Sequence, residues 1–479
     1  MTTTPSTASS AAVPSPAGPG RAGPAAAPPP ASGVRPYESY VYAYPHKTAY
    51  RALPDRPELA RVWAGRAKDA LSLYLHIPFC EVRCGFCNLF TRIGAPDGLT
   101  GAYLDALERQ ARTVREALGA DGGPVRFAAA AFGGGTPTFL TAAELSRLCD
   151  IAEHTAGADL RAVPLSVEAS PSTATADRLA VLAERGTTRL SLGVQSFVDS
   201  EVRSAARPQR RADVEAALGR IRAAALPVLN IDLIYGIDGQ TGATWSRSLA
   251  AALAWRPEEL YLYPLYVRPL TGLGRRGEAS GPLAEAAWDA QRLRLYRQGR
   301  DTLLSAGYEQ VSMRMFRRPG APTAVPADHS CQTDGMVGLG CGARSYTPAL
   351  HYSFDYAVDM RQIRAIVDDY VARPGRDFAR AEYGRRMDDG EARRRHLLQS
   401  LLQAEGMAVA DYRARFGTGP FEDFPVELRR FAEAGWLAEG GPGEARLRLT
   451  PEGLAHSDAV GPALFSSAVR SAMAGYARK

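Results

Sequence analysis

The chain has 479 residues, 46% of them hydrophobic and 23% charged, which is enough for two or three domains with a large buried core. No stretch approaches ~18 consecutive apolar residues and the first residues lack a signal peptide's charged start and apolar run, so we expect a cytoplasmic protein without a membrane partner. The formal net charge of +6 comes from scattered arginines rather than a long basic run, which argues against a nucleic-acid partner.

The N-terminal part of the chain divides into two segments. Residues 1–34 consist mainly of Pro, Ala, Gly and Ser, and they carry too little apolar surface to fold, so we expect them to be disordered. Residues 35–70 follow as an arm with five tyrosines from Tyr37 to Tyr50. We expect this aromatic arm to pack on the body of the protein.

Over residues 71–300, apolar runs typical of strands alternate with amphipathic runs typical of helices. One helix is predicted to begin after Thr141, which would form a capping box with Glu144. The alternation predicts an α/β fold with a parallel sheet, as a partial (β/α)6 barrel whose chemistry lies at the carboxyl ends of the strands. The predicted strands are LSLYLHI, RFAAAAFGG, VPLSVEA, TTRLSLGVQ, PVLNIDLIYG and EELYLYPLY.

The alternation of strands and helices ends near residue 300. Residues 301–390 are predicted to extend the barrel into a substrate-pocket region. Residues of the aromatic arm or of the 308–346 region are expected to shape the pocket, with GYEQVSMRMF and ADHSCQTDG as its main lining. The Gly-rich stretch ADHSCQTDGMVGLGCGARSY is predicted to be loop-like. Residues 391–479 follow a pattern of helix, helix and short hairpin, which predicts a helical, winged-helix-like C-terminal domain.

Half of the six cysteines lie in LYLHIPFCEVRCGFCNLF, directly after the first predicted strand. Cys80, Cys84 and Cys87 form a C-x3-C-x2-C pattern, and an extended span of seven residues would reach roughly 23–25 Å. The loop must therefore coil if the three thiols share a metal centre. Zinc would need a fourth ligand, for which the nearest candidate is His76. Three thiolates alone suit a four-iron cluster with one iron open to a small molecule. The other cysteines are isolated: Cys149, Cys331 and Cys341.

Glycine and polar residues follow the other predicted strands. The segment FGGGTPT, residues 132–138, lets a ligand approach the backbone closely but lacks the spacing of a dinucleotide fingerprint. Glu168 ends the third strand, where its carboxylate could hold a hydroxyl or an ammonium group. Gln195 ends the fourth strand, and Arg207 follows. Asp232 is a charge inside an apolar run on the fifth strand, so it has to face a cavity or pair, for instance with Arg207.

The cysteine loop, with Phe86 before the third cysteine, resembles the radical S-adenosylmethionine (SAM) superfamily. Together with FGGGTPT, RLSLGVQSF and NIDLIYGIDGQT, it is similar over residues 71–270 to the family of oxygen-independent coproporphyrinogen III dehydrogenase, haem chaperones and class C radical SAM methyltransferases. The resemblance implies a [4Fe-4S] cluster on Cys80, Cys84 and Cys87. It also implies reductive cleavage of SAM to methionine and a 5′-deoxyadenosyl radical, fed by an electron donor such as flavodoxin or ferredoxin.

The same resemblance implies two SAM molecules side by side. Arg207 would bind a carboxylate of the second molecule, and Asp232 would face its sulfonium or ammonium charge. The residues expected to act in catalysis are the three cysteines, Glu168 and Asp232. The first SAM would contact Tyr74, Gly134 and Glu168, and the second would contact Phe86, Gly135, Thr136, Gln195, Arg207 and Asp232.

The chain departs from the family's decarboxylating branch at Leu89, where that branch carries a fourth cysteine. We therefore expect an enzyme that acts on a planar conjugated substrate, a tetrapyrrole or a heteroaromatic compound, and Leu89 favours methylene transfer over oxidative decarboxylation. The first alternative is a haem-binding protein of the same family, with His46, His329 or His351 as an axial ligand. A structural zinc module is the second.

Overall fold

The computed structural model describes residues 35–276, 282–323, 329–438 and 445–476, so the expected disorder of residues 1–34 lies outside the described residues. The strands of this part of the chain are β1 (Arg51–Ala52), β2 (Leu71–Ile77), β3 (Phe127–Gly134), β4 (Leu165–Ala169), β5 (Thr187–Gln195), β6 (Val228–Tyr235), β7 (Glu259–Pro264), β8 (Glu309–Gln310), β9 (Met315–Arg317), β10 (Met336–Leu339), β11 (Arg344–Tyr346), β12 (Leu350–Ser353), β13 (Tyr383–Arg386), β14 (Met407–Ala408) and β15 (Arg446–Leu447).

The α-helices of the same ranges cover the sheet and build the C-terminal region. They are α1 (Leu59–Trp63), α2 (Leu99–Gly119), α3 (Ala142–Asp150), α4 (Ala176–Glu184), α5 (Asp199–Ser204), α6 (Arg211–Ala223), α7 (Gly242–Ala254), α8 (Gly272–Arg276), α9 (Pro282–Ser305), α10 (Met360–Ala372), α11 (Asp389–Leu401), α12 (Val409–Phe416), α13 (Pro420–Asp423), α14 (Pro425–Glu433), α15 (Pro451–Ala455), α16 (Ser457–Ala463) and α17 (Ser467–Ala474).

One sheet of thirteen described strands organises the fold, in the order β1-β13-β12-β11-β10-β2-β3-β4-β5-β6-β7-β9-β8. The strands from β10 to β7 run parallel, and the pairs outside them are antiparallel. The predicted α/β fold with its six parallel strands, β2 to β7, is confirmed. The described strands do not close into a full barrel, because the sheet ends on the short strands β1 and β8.

The Gly-rich stretch of residues 327–346 was predicted to be loop-like, and this prediction is wrong for its second half, from residue 336. It contains β10, which adds a seventh parallel strand beside β2, and β11, which pairs antiparallel with β10. Gly338 on β10 lies so close to β11 that a Cβ there would clash with the carbonyl oxygen of Arg344. Glycine is thus needed here for the close approach of two strands, although in the sequence it looks like a loop signal.

The apolar pattern of the parallel strands matches their burial. On β2, one face consists of the buried Leu71, Leu73, Leu75 and Ile77, and Ser72 and His76 on the other face are buried too, as expected of a parallel strand covered on both faces. The predicted capping box at the start of α3 is confirmed, since the Thr141 hydroxyl accepts from the Glu144 N–H and the Glu144 carboxylate accepts from the Thr141 N–H. The buried parallel strands therefore end side by side, at the same edge of the sheet.

The aromatic arm packs against the body, with Tyr37, Tyr44 and Tyr50 buried. Tyr44 donates its hydroxyl to Glu391 and its backbone N–H to the Gln332 side chain, 2.9 Å away, so the arm is bound by both central and C-terminal segments. These contacts hold the arm where it can contribute to the cavity described below.

The C-terminal region is helical, as predicted, and residues 436–438 and 448–450 pair antiparallel where the hairpin was predicted, through the Leu437–Leu449 bridge and two flanking backbone hydrogen bonds; residues 439–444 between them lie outside the described residues. β15 pairs with β14, which lies before α12. The domain boundaries at residues 70, 300 and 390 stay predictions. Among the described helices, none is both long and apolar enough to cross a membrane.

Candidate active site

A cavity of about 1000 Å³ opens at the carboxyl ends of the parallel strands. It is where the strand-end rule predicts chemistry, and all twelve residues expected to contact the cluster or SAM line it. These residues are Tyr74, Cys80, Cys84, Phe86, Cys87, Gly134, Gly135, Thr136, Glu168, Gln195, Arg207 and Asp232.

The cysteine loop follows β2 and is tied down by backbone hydrogen bonds. The Cys80 N–H donates to the Arg92 carbonyl at 3.1 Å, and the Cys87 N–H donates to the Cys84 carbonyl at 3.0 Å. Gly85 packs so tightly that a Cβ there would lie 2.8 Å from the carbonyl oxygen of Ala205. The loop is therefore coiled, as three thiols sharing one centre require.

The protein surroundings of Cys80 and Cys87 disfavour free thiolates. Burial raises the pKa of Cys80 to about 12, against the hydrogen bond from Thr136, and burial also raises the pKa of Cys87. Thiolates in this loop therefore need a positive centre to stabilise them, which an iron–sulfur cluster or another metal would supply.

The spacing of the sulfurs distinguishes between metal centres. The described residues contain one set of three or more His, Cys, Asp or Glu ligand atoms within 4.8 Å of one another, and it is Asp150, Glu153 and His154, not the cysteines. Zn–S bonds of about 2.3 Å would bring the sulfurs of a tetrahedral zinc site to about 3.8 Å from each other. At least one pair of the three cysteine sulfurs is therefore more than 4.8 Å apart, which is farther than a tetrahedral zinc site allows. His76 is engaged elsewhere, with its Nε2 3.1 Å from the Phe90 carbonyl oxygen.

Arg207 lies against the cysteine loop. Its Nη1 donates to the Cys84 sulfur at 3.0 Å, its Nη2 donates to the Gly193 carbonyl at 2.6 Å, and its Nε donates to the Gln209 side chain at 2.6 Å. The structural alternative for Asp232, an ion pair with Arg207, is therefore not formed. The guanidinium instead places a positive charge beside one thiol, where it would stabilise a thiolate.

The glycine segment at the end of β3 donates backbone hydrogen bonds to the residues that lead from β2 into the cysteine loop. The Gly135 N–H donates to the Ile77 carbonyl at 2.7 Å, and the Thr136 N–H donates to the Phe79 carbonyl at 2.8 Å. Gly134 has a φ of +112°, which favours glycine, and its N–H donates to the Glu168 carboxylate at 3.0 Å. Contacts from Gly135 and Thr136 to a ligand would therefore have to use their carbonyl groups or the Thr136 hydroxyl.

Glu168 presents its carboxylate to the cavity at the end of β4. Desolvation by the surrounding protein raises its pKa to about 7, against the Gly134 N–H, and the nearby Asp232 carboxylate raises it further. The side chain is nevertheless accessible to solvent from the cavity. A carboxyl group with a pKa near 7 is partly protonated at neutral pH, and a bound cation would shift it to the charged carboxylate. Tyr74 lies nearby, with its hydroxyl 3.2 Å from His76 Nδ1.

Asp232 is a half-buried carboxylate on β6 that faces the same cavity. It accepts hydrogen bonds from the Ser191 hydroxyl at 3.1 Å and from the Asn230 side chain at 2.8 Å. Burial raises its pKa, and the Asn230 hydrogen bond opposes the shift. The sequence therefore identified the charge correctly as cavity-facing, but it did not identify its neutral hydrogen-bond partners.

Gln195 and Phe86 were also predicted to contact the second SAM, and each lies in the cavity wall. Gln195, at the end of β5, has a backbone φ of +69°, which is unusual for a residue other than glycine. Such backbone strain is common at functional sites and has no signal in the sequence. Phe86 packs against a small apolar cluster that includes Ile234 and Leu265, which anchors the loop between the second and third cysteines.

The predicted substrate-pocket lining is wrong in part. No residue of GYEQVSMRMF lines the cavity, because Tyr308, Met313 and Phe316 are buried in the core. The described residues of ADHSCQTDG do not line it either, and Ala327 and Asp328 lie outside the described residues. The cavity is lined by the aromatic arm, one of the two predicted regions, and by strand ends and loops, with lining residues within 39–48, 263–270, 341–344 and 353–358.

Of the three histidines predicted as haem ligands, only His46 lines the cavity. His329 Nε2 lies 2.7 Å from the Ser72 hydroxyl, and the buried His351 receives a hydrogen bond from Arg395 at 2.9 Å. These two histidines are structural.

Parts of the chain are similar in sequence to known proteins. Residues 74–251 match the Radical SAM superfamily. The chain is 30% identical to an oxygen-independent coproporphyrinogen III oxidase of Cereibacter sphaeroides, over 74% of this chain and 78% of that protein. It is 31% identical to the heme chaperone HemW of Synechocystis sp., over 57% of this chain but only 65% of the relative.

A solved structure, coproporphyrinogen III oxidase (HemN) from Escherichia coli, has the same fold. It superposes with a TM-score of 0.69 at 22% identity, over 85% of this chain and 92% of that one. At this identity the likeness bears on the fold and not on the reaction.

Proposed function

Because the chain belongs to the radical SAM superfamily, in the family of oxygen-independent coproporphyrinogen III oxidases and haem chaperones, we propose that it cleaves SAM reductively and uses the radical on a planar conjugated substrate. The observation that carries the proposal is one cavity that collects the three thiols, two carboxylates and Arg207 at the strand ends. When bound by Cys80, Cys84 and Cys87, a [4Fe-4S] cluster would supply the electron that splits SAM into methionine and a 5′-deoxyadenosyl radical.

The residues assigned to the first SAM are Tyr74, Gly134 and Glu168. The Glu168 carboxylate is oriented by the Gly134 N–H, and it would hold a hydroxyl or the ammonium group of SAM by a charge-assisted hydrogen bond. The enclosure of the cavity strengthens such contacts, since the surrounding protein lowers the local dielectric.

The residues assigned to a second SAM are Phe86, Gly135, Thr136, Gln195, Arg207 and Asp232. Asp232 is fixed by Ser191 and Asn230 and would balance a sulfonium or ammonium charge. Arg207 already lies on Cys84, so we propose that it serves both the cysteine loop and a carboxylate of this second molecule. Its fork of N–H donors suits such shared use.

The pKa of Glu168 gives a pH prediction. Below about pH 7 the carboxyl gains a proton and loses its attraction for a cation, so the affinity for SAM should fall as the pH falls through this value. Between pH 8 and pH 6 the charged fraction drops about tenfold, and the dissociation constant should rise by a similar factor. Titration calorimetry with the reconstituted protein measures it. Glu168→Gln is the control, and an unchanged pH dependence in this variant would contradict the assignment.

Two reaction outcomes fit the same cavity: transfer of a methylene from the second SAM to an sp2 carbon, and oxidative decarboxylation of a propionate side chain. Leu89, which lines the cavity where the decarboxylating branch carries a cysteine, favours transfer. Transfer needs the second SAM as a one-carbon donor, whereas decarboxylation uses SAM only for hydrogen abstraction.

SAM with a deuterated methyl group separates the two outcomes. Transfer should place the label in the product and release S-adenosylhomocysteine together with 5′-deoxyadenosine, both measured by mass spectrometry. An unlabelled product with methionine, 5′-deoxyadenosine and carbon dioxide would instead identify a decarboxylase. Release of carbon dioxide from coproporphyrinogen III would show that leucine is tolerated at position 89.

Haem carriage is a second candidate function, favoured by the position of His46 in the cavity. Its Nδ1 lies 2.8 Å from the Thr48 hydroxyl and accepts a hydrogen bond from the Thr48 N–H at 3.3 Å, so Nε2 carries the proton of the neutral ring and would have to release it to bind iron. A haem titration followed by Soret absorbance separates this function from catalysis.

A further inference from the structure

The three thiols of the cysteine loop have different hydrogen-bond partners. Cys80 Sγ lies 3.4 Å from the Thr136 hydroxyl, and Cys87 Sγ lies 3.9 Å from the Thr91 hydroxyl. Both of these partners are neutral. In the described part of the chain, a cationic side chain donates a hydrogen bond to Cys84 alone of the three. The surroundings of the cysteine loop are therefore electrostatically asymmetric.

The protein itself fixes the cation at Cys84. Arg207 donates to the Cys84 sulfur at 3.0 Å, and its other N–H groups donate to the Gly193 carbonyl and the Gln209 side chain, each at 2.6 Å. Gln209 is anchored in turn, because its amide N–H donates to the Val194 carbonyl at 2.6 Å. No carboxylate of the described residues pairs with Arg207. The positive charge thus lies against the sulfur without a counter-ion.

Backbone contacts also connect this cation to the cysteine loop. The Gly85 N–H donates to the Ala205 carbonyl at 3.0 Å, and a Cβ on Gly85 would lie 2.8 Å from the same oxygen. The Arg207 N–H donates to the Val202 carbonyl of α5 at 2.8 Å. The residue after Cys84 therefore contacts the residue two positions before Arg207, which fixes the spacing between the guanidinium and the sulfur.

A fixed cation beside a cluster ligand affects how readily the cluster accepts an electron. Reduction adds one negative charge, which a guanidinium at hydrogen-bond distance from a ligand sulfur stabilises. The N–H donor also withdraws electron density from the sulfur, and a charged donor does so more strongly than a hydroxyl group. Both effects favour the reduced form and raise the reduction potential.

We propose that Arg207 sets the reduction potential of the [4Fe-4S] cluster through its contact with the Cys84 sulfur. The inference rests on the proposed function, because the cluster is the cofactor of that function. In the redox step a low-potential one-electron donor loses one electron and the cluster gains it, and no bond forms or breaks. Arg207 acts in this step through a ligand sulfur, so this role adds to the contact with the second SAM assigned above.

The test measures the reduction potential of the reconstituted holoprotein by electron paramagnetic resonance of samples poised at a series of potentials. SAM is left out, so that no ligand of Arg207 contributes. Arg207→Met should make reduction at least about tenfold less favourable, which is a potential lower by about 59 mV for a one-electron couple. Arg207→Lys keeps the charge and should lie closer to the wild-type value. Arg203→Met removes an exposed cation of α5 outside the cavity and should leave the potential unchanged, because solvent screens an exposed charge.

Iron and sulfide analysis shows whether each variant holds the full cluster. If Arg207→Met holds less iron, Arg207→Gln replaces it, because its amide can still donate to the Gly193 carbonyl but carries no charge, and the same fall in potential is expected. An unchanged or higher potential in an uncharged variant with an intact cluster would overturn the inference and leave the proposed function in place. An equal fall in Arg203→Met would also overturn it, since net charge and not the contact would then be responsible. Wild-type protein that holds no cluster would overturn the proposed function and the inference with it.

Discussion

Cys84→Ala should abolish both the cluster and the cleavage of SAM. Wild-type protein reconstituted without oxygen should contain about four irons and four sulfides per chain, with the brown absorbance of such clusters. Removing one of three thiolates leaves a site with two, which cannot hold the cluster. The Arg207 guanidinium would also lose the sulfur it contacts at 3.0 Å. Iron analysis and absorbance measure the first loss, and 5′-deoxyadenosine measures the second.

The matched control for this variant is Cys149→Ala. Cys149 is buried on α3 and does not line the cavity, so its removal should leave iron, sulfide and absorbance at wild-type levels. A Cys84→Ala protein that keeps the full cluster would show that the ligand assignment is wrong. Equal losses in both variants would point to a general effect on folding.

Glu168→Ala and Asp232→Ala should separate two parts of the reaction. Glu168→Ala removes a charge-assisted hydrogen bond to the first SAM and leaves the Gly134 N–H without its acceptor, so SAM cleavage should fall about 10- to 100-fold. Asp232→Ala should largely spare cleavage and reduce the complete reaction, because this carboxylate is assigned to the second SAM. Single-turnover assays of 5′-deoxyadenosine and of the final product measure the two effects.

Conservative variants make this comparison sharper. Asp232→Asn keeps the size of the side chain and removes the charge that is meant to balance SAM, so it should behave like Asp232→Ala. If cleavage and product formation fall by the same factor in the Glu168 and Asp232 variants, the two carboxylates do not serve different SAM molecules.

The part of the fold that follows local patterns could be predicted from the sequence. The six apolar runs from LSLYLHI to EELYLYPLY correspond to β2 to β7. They could be predicted because buried parallel strands are apolar segments that alternate with amphipathic helices. The strand-end rule then places the cysteine loop, Glu168 and Asp232 around one cavity. Each of these inferences needs only the period of the pattern and the order of the elements.

What escaped prediction depends on contacts between distant parts of the chain. β10 pairs with β2 through a Gly-rich segment whose sequence resembles a loop. The arm was expected to pack on the body and to be one of two regions that shape the pocket, but its attachment through Tyr44 to Gln332 and Glu391, which lie far away along the chain, has no signal in the local pattern. Tertiary structure also sets the positive φ of Gln195. It likewise directs the N–H groups of Gly135 and Thr136 to the carbonyl groups of residues 77 and 79.

The most direct test of the central claim is the fate of SAM with the reconstituted, chemically reduced protein under anaerobic conditions, followed by chromatography and mass spectrometry. The account predicts 5′-deoxyadenosine and methionine in equal amounts from the wild-type protein without added substrate, and neither product above background from Cys84→Ala. Intact SAM after incubation with cluster-loaded wild-type protein, or equal 5′-deoxyadenosine from both proteins, would contradict it.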